Sequence, residues 1–404
     1  MLADGRKILT VATGSVSQVA LAAAAALLTT IYLPVDDRGR YVLLITVLAV
    51  SAPLAGLGSN VGLRRERPRH GDPGALDSAY VRLTLTASLL HGLLAPLIVW
   101  AVTGKQIPRD AAEAGAVIAL GVTYVLSLQF VEFWYARQAF RIGAVYACLH
   151  VVAAVAGAGW AAVSSSIVQV LWVHAATSIV VQIVQTTHLS RVRVAASDAG
   201  LPRTPMATGL IRSGGSSLLM TAGMSLTFRL DQLILGAVSG AQSVAVYALA
   251  RSFAELPRFI PVAFGQIANG HAAQTTRRLA LRPYLLPGAL LTLLAAAGAC
   301  AVGIIFMTNV DPAYRDAVPP LLILLVAEMA LIPFSIVLRI ILGGGLVQLS
   351  AWVGILGIVL SGTLYSIFIP KFSIIGAAGA SVVVYASVSA ICLLIHARQK
   401  DTGL

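Results

Sequence analysis

Apolar runs long enough to cross a bilayer recur along the whole chain, separated by short polar breaks. A helix needs roughly 20 such residues to cross about 30 Å of hydrocarbon. Twelve windows meet that requirement, near 8–33, 41–63, 80–102, 114–137, 142–163, 167–190, 209–236, 244–268, 283–306, 318–341, 347–369 and 375–396. Lipid offers backbone N–H and C=O groups no outside partner, and the runs are too long and continuous for barrel strands, so each predicts a transmembrane helix. No gap between them has room for a soluble domain. The predicted fold class is therefore an all-α polytopic membrane protein. The first window follows Arg6 and Lys7 and is longer than the apolar region of a signal peptide, so it is expected to be an uncleaved first span.

Composition agrees: of 404 residues, 58% are hydrophobic and only 11% charged, with a mean hydropathy of +0.87. A soluble globule with an ordinary polar surface is excluded. Charge then sets orientation. With both termini placed in the cytoplasm, eighteen Lys and Arg fall on the cytoplasmic side, six on the opposite side, and four (Arg212, Arg229, Arg251 and Arg258) inside spans. That bias predicts an even number of spans with both ends inside, and the scarcity of Lys beside abundant Arg and Ala points to a bacterial plasma membrane. The net charge of +12 is thereby assigned to topology and anionic-lipid contact, with no nucleic-acid partner.

Several chemistries drop out. Cys148, Cys300 and Cys392 stand singly within predicted helices, which suggests neither a disulfide framework nor a thiolate metal site. There is no HExxH and no GxxxxGK[ST], so no metal, cofactor or nucleotide site is expected, and the chain is not read as an enzyme. "GLGSNVG" (56–62) sits inside a span, where glycines predict close helix packing rather than a phosphate cradle.

A shift of 206 residues lays "RDAAEAGAVIAL" (109–120) on "RDAVPPLLILLV" (315–326) and superposes spans four to six on ten to twelve. Two six-helix halves follow, 1–196 and 205–404, joined by a cytoplasmic linker at 197–204. Six is even, so the repeat is parallel.

Charges inside the spans need a reason, because one at mid-membrane costs about 2.5–3.5 kcal/mol on insertion scales. Spans seven and eight are predicted to form a hairpin turning near Gly240, which sets residues whose numbers sum to about 480 at equal depth. Arg229 then lies level with Arg251, and Asp231 near Leu249. Glu255 and Arg258 follow Arg251 at helical spacing. The five residues form a cluster of net charge +1, read either as a structural ion-pair lattice or as a cavity lining. Arg212, near the inner end of span seven, is either an entry contact or a snorkelling side chain. Glu328 lies about ten residues inside span ten without an obvious local partner, which makes it a candidate ion-coupling residue together with Glu255 and Asp231. Glu132 is expected at an interface. His91, His150 and His174 are expected to be helix-packing hydrogen bonders.

Longer stretches carry a resemblance. "YLPVDDRGRYVLL" (32–44), "FRLDQLILGAVSGAQSVAVYALARSFAEL" (228–256), "DPAYRDAVPPLLIL" (311–324) and "IPKFSIIGAAGASVVVYA" (369–386) resemble Wzx-type polysaccharide flippases of the multidrug/oligosaccharidyl-lipid/polysaccharide (MOP) exporter superfamily. Two positions depart from that pattern: Val246 and Ser373 stand where the family commonly has Gly. The resemblance implies two six-helix bundles of MATE-like type and translocation of an undecaprenyl-pyrophosphate-linked oligosaccharide by alternating access. It also implies glycan polymerase and glycosyltransferases as neighbours in the pathway. Arg251, Arg229, Arg258 and Arg212 become candidate pyrophosphate contacts, since a planar guanidinium bonds phosphate oxygens in pairs and stays ionised. The rivals are a MOP-type drug/cation antiporter, for which the first span lacks the expected acid, and a membrane glycan polymerase or ligase, for which the external loops are short.

Overall fold

The computed structural model describes residues 2–103, 107–193, 204–272, 279–343 and 347–398. Most of the predicted linker at 197–204, and the cations Lys105, Arg203, Arg277, Arg278 and Lys400 used in assigning orientation, lie outside those residues. The described chain is helical with no strand.

The helices are α1 (Leu2–Tyr32), α2 (Val35–Ala55), α3 (Ser59–Glu66), α4 (Pro73–Val102), α5 (Ala111–Ala136), α6 (Phe140–Trp160), α7 (Ile167–Arg193), α8 (Thr204–Ala254), α9 (Phe259–Ala272), α10 (Arg282–Val310), α11 (Val318–Gly343) and α12 (Val347–Arg398). Among the described residues nine apolar helical stretches are long enough to cross a membrane. Two of these, Ser217–Asn269 and Ala351–Arg398, run 53 and 48 residues and double back at a single break, at Gly240 and Ser373. Each supplies two spans, and with the shorter Val16–Tyr32 the total is twelve. Leu93 on α4 and Leu294 on α10 are 67% and 70% exposed, a pattern that hydrocarbon tolerates and water does not.

Two expected spans are interrupted. The second is broken between α2 and α3 where Leu57 and Gly58 turn left-handed (φ 50° and 73°). The eighth is broken at the 3-10 turn Leu256–Arg258, because Pro257 has no N–H to continue the helix. It resumes as α9.

The chain divides into two compact units, 1–218 and 219–404. The division falls within α8, whose first turns pack on α3. A side chain on Gly214 would meet the Gly58 carbonyl oxygen at 1.9 Å, and one on Gly62 the Leu210 carbonyl oxygen at 2.0 Å, so Gly58 and Gly62 of "GLGSNVG" serve backbone contact, while Gly56 lies against the Gln129 side chain. In the N-terminal unit α1 packs on α6, α4 on α5, and both α5 and α6 on α7, around Tyr80, Phe130, Phe133 and Trp134. In the C-terminal unit α11 packs against α9, α10 and α12, with Ala268, Ile332, Ile336 and Ile340 at its centre.

Candidate functional site

The C-terminal unit carries a lattice of six charged side chains built around the hairpin of α8. Gly240 adopts φ 81° and ψ 176°, a conformation open to glycine, and reverses the chain there. Asp231 on the first arm then faces Tyr247 and Arg251 on the second. The Tyr247 hydroxyl donates to Asp231 Oδ2 at 2.7 Å, and Arg251 Nη1 pairs with the same oxygen. The other Asp231 oxygen accepts from the Gln232 N–H at 2.8 Å. Arg251 also donates from Nη2 to the Phe228 carbonyl and from Nε to Glu255 Oε1 at 2.6 Å, the latter an i, i+4 contact across the last turn of the helix. The equal-depth rule drawn from the sequence holds for these contacts.

Glu255 stands where α8 ends, and three guanidiniums converge on it. Besides Arg251, Arg229 Nη2 lies 3.3 Å from Oε2, and Arg258 Nη1 lies 3.5 Å from Oε1. Arg258 is brought round by the 3-10 turn and meets Glu328 of α11 with two donors, one of them Nε at 2.8 Å. Its guanidinium sits 5.0 Å above the Phe228 ring and 5.8 Å from that of Tyr385, a cation–π arrangement.

Two sequence expectations change. Glu328 has a partner, Arg258, 70 positions away in the chain. Including it, three arginines face three acids and the lattice is neutral, where five residues would have carried +1. The helical spacing expected beyond Arg251 holds as far as Glu255, its i, i+4 partner; past Pro257 the 3-10 turn carries Arg258 to Glu328.

Burial sorts the candidates. Arg251 and Asp231 are 3% and 0% exposed at the side chain, while Glu255 is 22% and Arg229 37% exposed. Arg229 is thus the most open charge of the lattice, a ranking over Arg251 that residue type and spacing do not reveal. Arg212 belongs to the N-terminal unit, is exposed, and makes none of these ion pairs.

The N-terminal unit puts its ion pairs at its ends. Arg40 grips Glu113 at 2.8 and 2.9 Å beside Asp37, where α2 and α5 begin. At the opposite ends Asp77 takes Arg67 at 2.9 Å and Arg137 at 2.6 Å, and Glu132 pairs with Arg64. Sequence reading passed over Arg40, Glu113 and Asp77 because they sit beside loops. Between these ends lie neutral hydrogen bonds: His91 to Ser51 at 2.7 Å, His174 to Tyr41 at 3.2 Å, and His150 to Gln185 at 3.0 Å. The histidines are packing hydrogen bonders, as expected.

No family model and no curated protein matches the chain. Solved structures do. A multidrug resistance MATE family transporter of the MOP superfamily in an outward-facing conformation superposes with TM-score 0.69 at 13% identity, over 98% of this chain and 96% of that one. An inward-facing MATE family transporter gives TM-score 0.71 at 12% identity, over 96% and 95%. A MOP superfamily transporter from Pyrococcus furiosus, described as having a binding pocket of reverse polarity that suggests a different function, gives 0.58 at 12% identity, over 98% and 96%. At such identities the likeness concerns the fold, which is that of MATE transporters in the MOP superfamily: an all-α, multi-pass membrane protein with twelve spans.

Proposed function

We propose that the chain is a flippase that translocates an undecaprenyl-pyrophosphate-linked oligosaccharide across the bacterial plasma membrane by alternating access, with both termini in the cytoplasm. The observation that carries this reading is the polarity of the charged lattice. Its acids are all held by guanidiniums, and its most open charge is Arg229. A site arranged in this way favours an anion, and a pyrophosphate diester is an anion whose oxygens suit paired guanidinium donors. A drug/cation antiporter, the rival on the same fold, needs a carboxylate free to exchange its proton for a cation. Asp231, Glu255 and Glu328 are engaged, and residues 8–33 of the first span hold no acid. The Pyrococcus furiosus transporter, of similar fold, is described as having a binding pocket of reverse polarity that suggests a different function. The same reading gives the basic loops to anionic lipids and makes glycosyltransferases and a glycan polymerase the enzymes before and after the transport step.

The test uses purified protein in proteoliposomes. A fluorescent polyprenyl-pyrophosphate oligosaccharide is followed by quenching with an impermeant reductant, and ethidium movement under an imposed proton gradient is followed in parallel. Flipping of the lipid without ethidium transport is expected, and Arg229→Ala should slow it about tenfold through loss of one charge-assisted bond. Ethidium exchange without lipid flipping would replace this reading with the antiporter.

A further inference from the structure

Glu255 differs from the other two acids of the lattice. Asp231 and Glu328 are 0% and 3% exposed, and each has one arginine of its own. Glu255 is shared by three, Arg229, Arg251 and Arg258, at 3.3, 2.6 and 3.5 Å, and it lies on the open side of the lattice. Three guanidiniums converging on two oxygens are the surroundings an oxyanion of phosphate type would have, with a carboxylate in its place. With Arg251 balanced by Asp231 and Arg258 by Glu328, Glu255 offsets Arg229, the remaining positive charge.

We propose that Glu255 is a built-in stand-in for the substrate's phosphate: it fills a phosphate or pyrophosphate site formed by Arg229, Arg251 and Arg258 and gives way when that anion arrives. The proposal rests on the anionic-substrate reading above. Neutralising the site between transport events answers the cost of holding three arginines in a membrane-spanning unit. Selectivity also follows, because a ligand must outcompete a tethered carboxylate, which phosphate oxygens in pairs can do and a lone weak anion cannot. Glu255 is placed to move. It follows the last residue of α8 and precedes the turn at Pro257, so its side chain can rotate toward the open side while the backbone bonds from its N–H to the Arg251 carbonyl and from the Arg258 N–H to its own carbonyl stay intact.

The experiment measures binding of inorganic pyrophosphate to the full-length protein in nanodiscs. Glu255→Gln keeps the shape and removes the charge, so it should bind pyrophosphate about tenfold more tightly than the parent. The gain should vanish in Glu255→Gln/Arg229→Ala. Equal affinity in parent and variant would overturn the proposal, as would a gain that survives loss of Arg229. Should Glu255→Gln fail to accumulate, Glu255→Asp keeps the charge but is one methylene too short to serve all three guanidiniums. A gain of about threefold is then expected, and none would overturn the proposal. A gain in pyrophosphate affinity without any lipid flipping would leave the stand-in in place and remove the lipid-linked glycan as cargo. Flipping without the gain would do the reverse.

Discussion

The two units solve the same problem, packing six helices in hydrocarbon, with different polar chemistry. The N-terminal unit holds Arg40–Glu113 at one end and Asp77 with its two arginines at the other, and joins the helices between with neutral side chains such as His91, Ser51, His150 and Gln185. The C-terminal unit carries three arginines and three acids along spans seven, eight and ten. Helix packing in a membrane does not call for buried ions, since small residues and neutral hydrogen bonds suffice. Only the middle of the N-terminal unit is an internal control for that statement, because at one end Arg40–Glu113 is about as buried as Arg251–Asp231. The C-terminal unit carries its charges within the spans instead, and each one buried must be matched or it destabilises the fold.

The largest effect should come from breaking that match. Arg251→Ala leaves Asp231, which is wholly buried, without its guanidinium. Loss of one partner of a buried pair costs about 3–5 kcal/mol, enough to deplete the folded protein. Gel filtration of a fluorescent fusion from detergent extracts should show little monodisperse Arg251→Ala, and Arg251→Ala/Asp231→Asn should recover it. Normal accumulation of the single variant would mean that the charges of the C-terminal unit are no more structural than the hydrogen bonds of its counterpart.

A second contrast lies in the backbone. The two hairpins of the C-terminal unit reverse at one residue each, Gly240 in α8 and Ser373 in α12. Gly240 has the residue its φ of 81° asks for. Ser373, at φ 48° and ψ −127°, does not, and it pairs its hydroxyl with that of Ser239 at 3.2 Å. Such strain costs of order 1–3 kcal/mol, against about 1 kcal/mol for a neutral hydrogen bond. Ser373→Gly should therefore raise the melting temperature in detergent, by a gain of about 1 kcal/mol, and Ser373→Ala, which loses the bond and keeps the strain, should lower it. The opposite order would show that the hydroxyl pair, rather than the backbone, governs this turn.

Much of this could be read from the sequence where the cause is local. The spans were legible because hydrocarbon demands long apolar runs, and the α8 hairpin because Gly240 divides one such run at its middle. Equal depth on the two arms placed Asp231 near Leu249, and in the structure it meets Arg251 two positions on, while Arg229, set level with Arg251, pairs with Glu255. What escaped was non-local. Nothing along the chain couples Arg258 to Glu328, since the pairing depends on where α11 packs and on the turn that Pro257 imposes. The bonds between His91 and Ser51 and between His150 and Gln185 link different helices, so their partners have no sequence signature. Ser373 is an intermediate case: the resemblance marked it as a place for Gly, and the structure supplies the reason in its φ.

The smallest effect tests the comparison from its other side. His150 Nε2 donates to Gln185 Oε1 at 3.0 Å and has Gln182 Nε2 at 3.4 Å. The Gln182 oxygen and the Gln185 nitrogen, both buried, have no hydrogen-bond partner among the described residues. Neutral interhelical hydrogen bonds in membranes average about 0.6 kcal/mol, because the separated helices find other partners in the bilayer. His150→Leu should therefore leave abundance unchanged and shift the melting temperature by little. Adding Gln185→Leu, which removes the amide left behind, should bring stability back to the parent value or above it, since two apolar groups replace a polar pair. The ratio between the Arg251→Ala penalty and the His150→Leu penalty is the quantity that separates the units, expected at about fivefold or more. If the two penalties come out equal, His150 and its glutamines form a committed polar centre of their own, and the middle of the N-terminal unit ceases to be a control for the charged one.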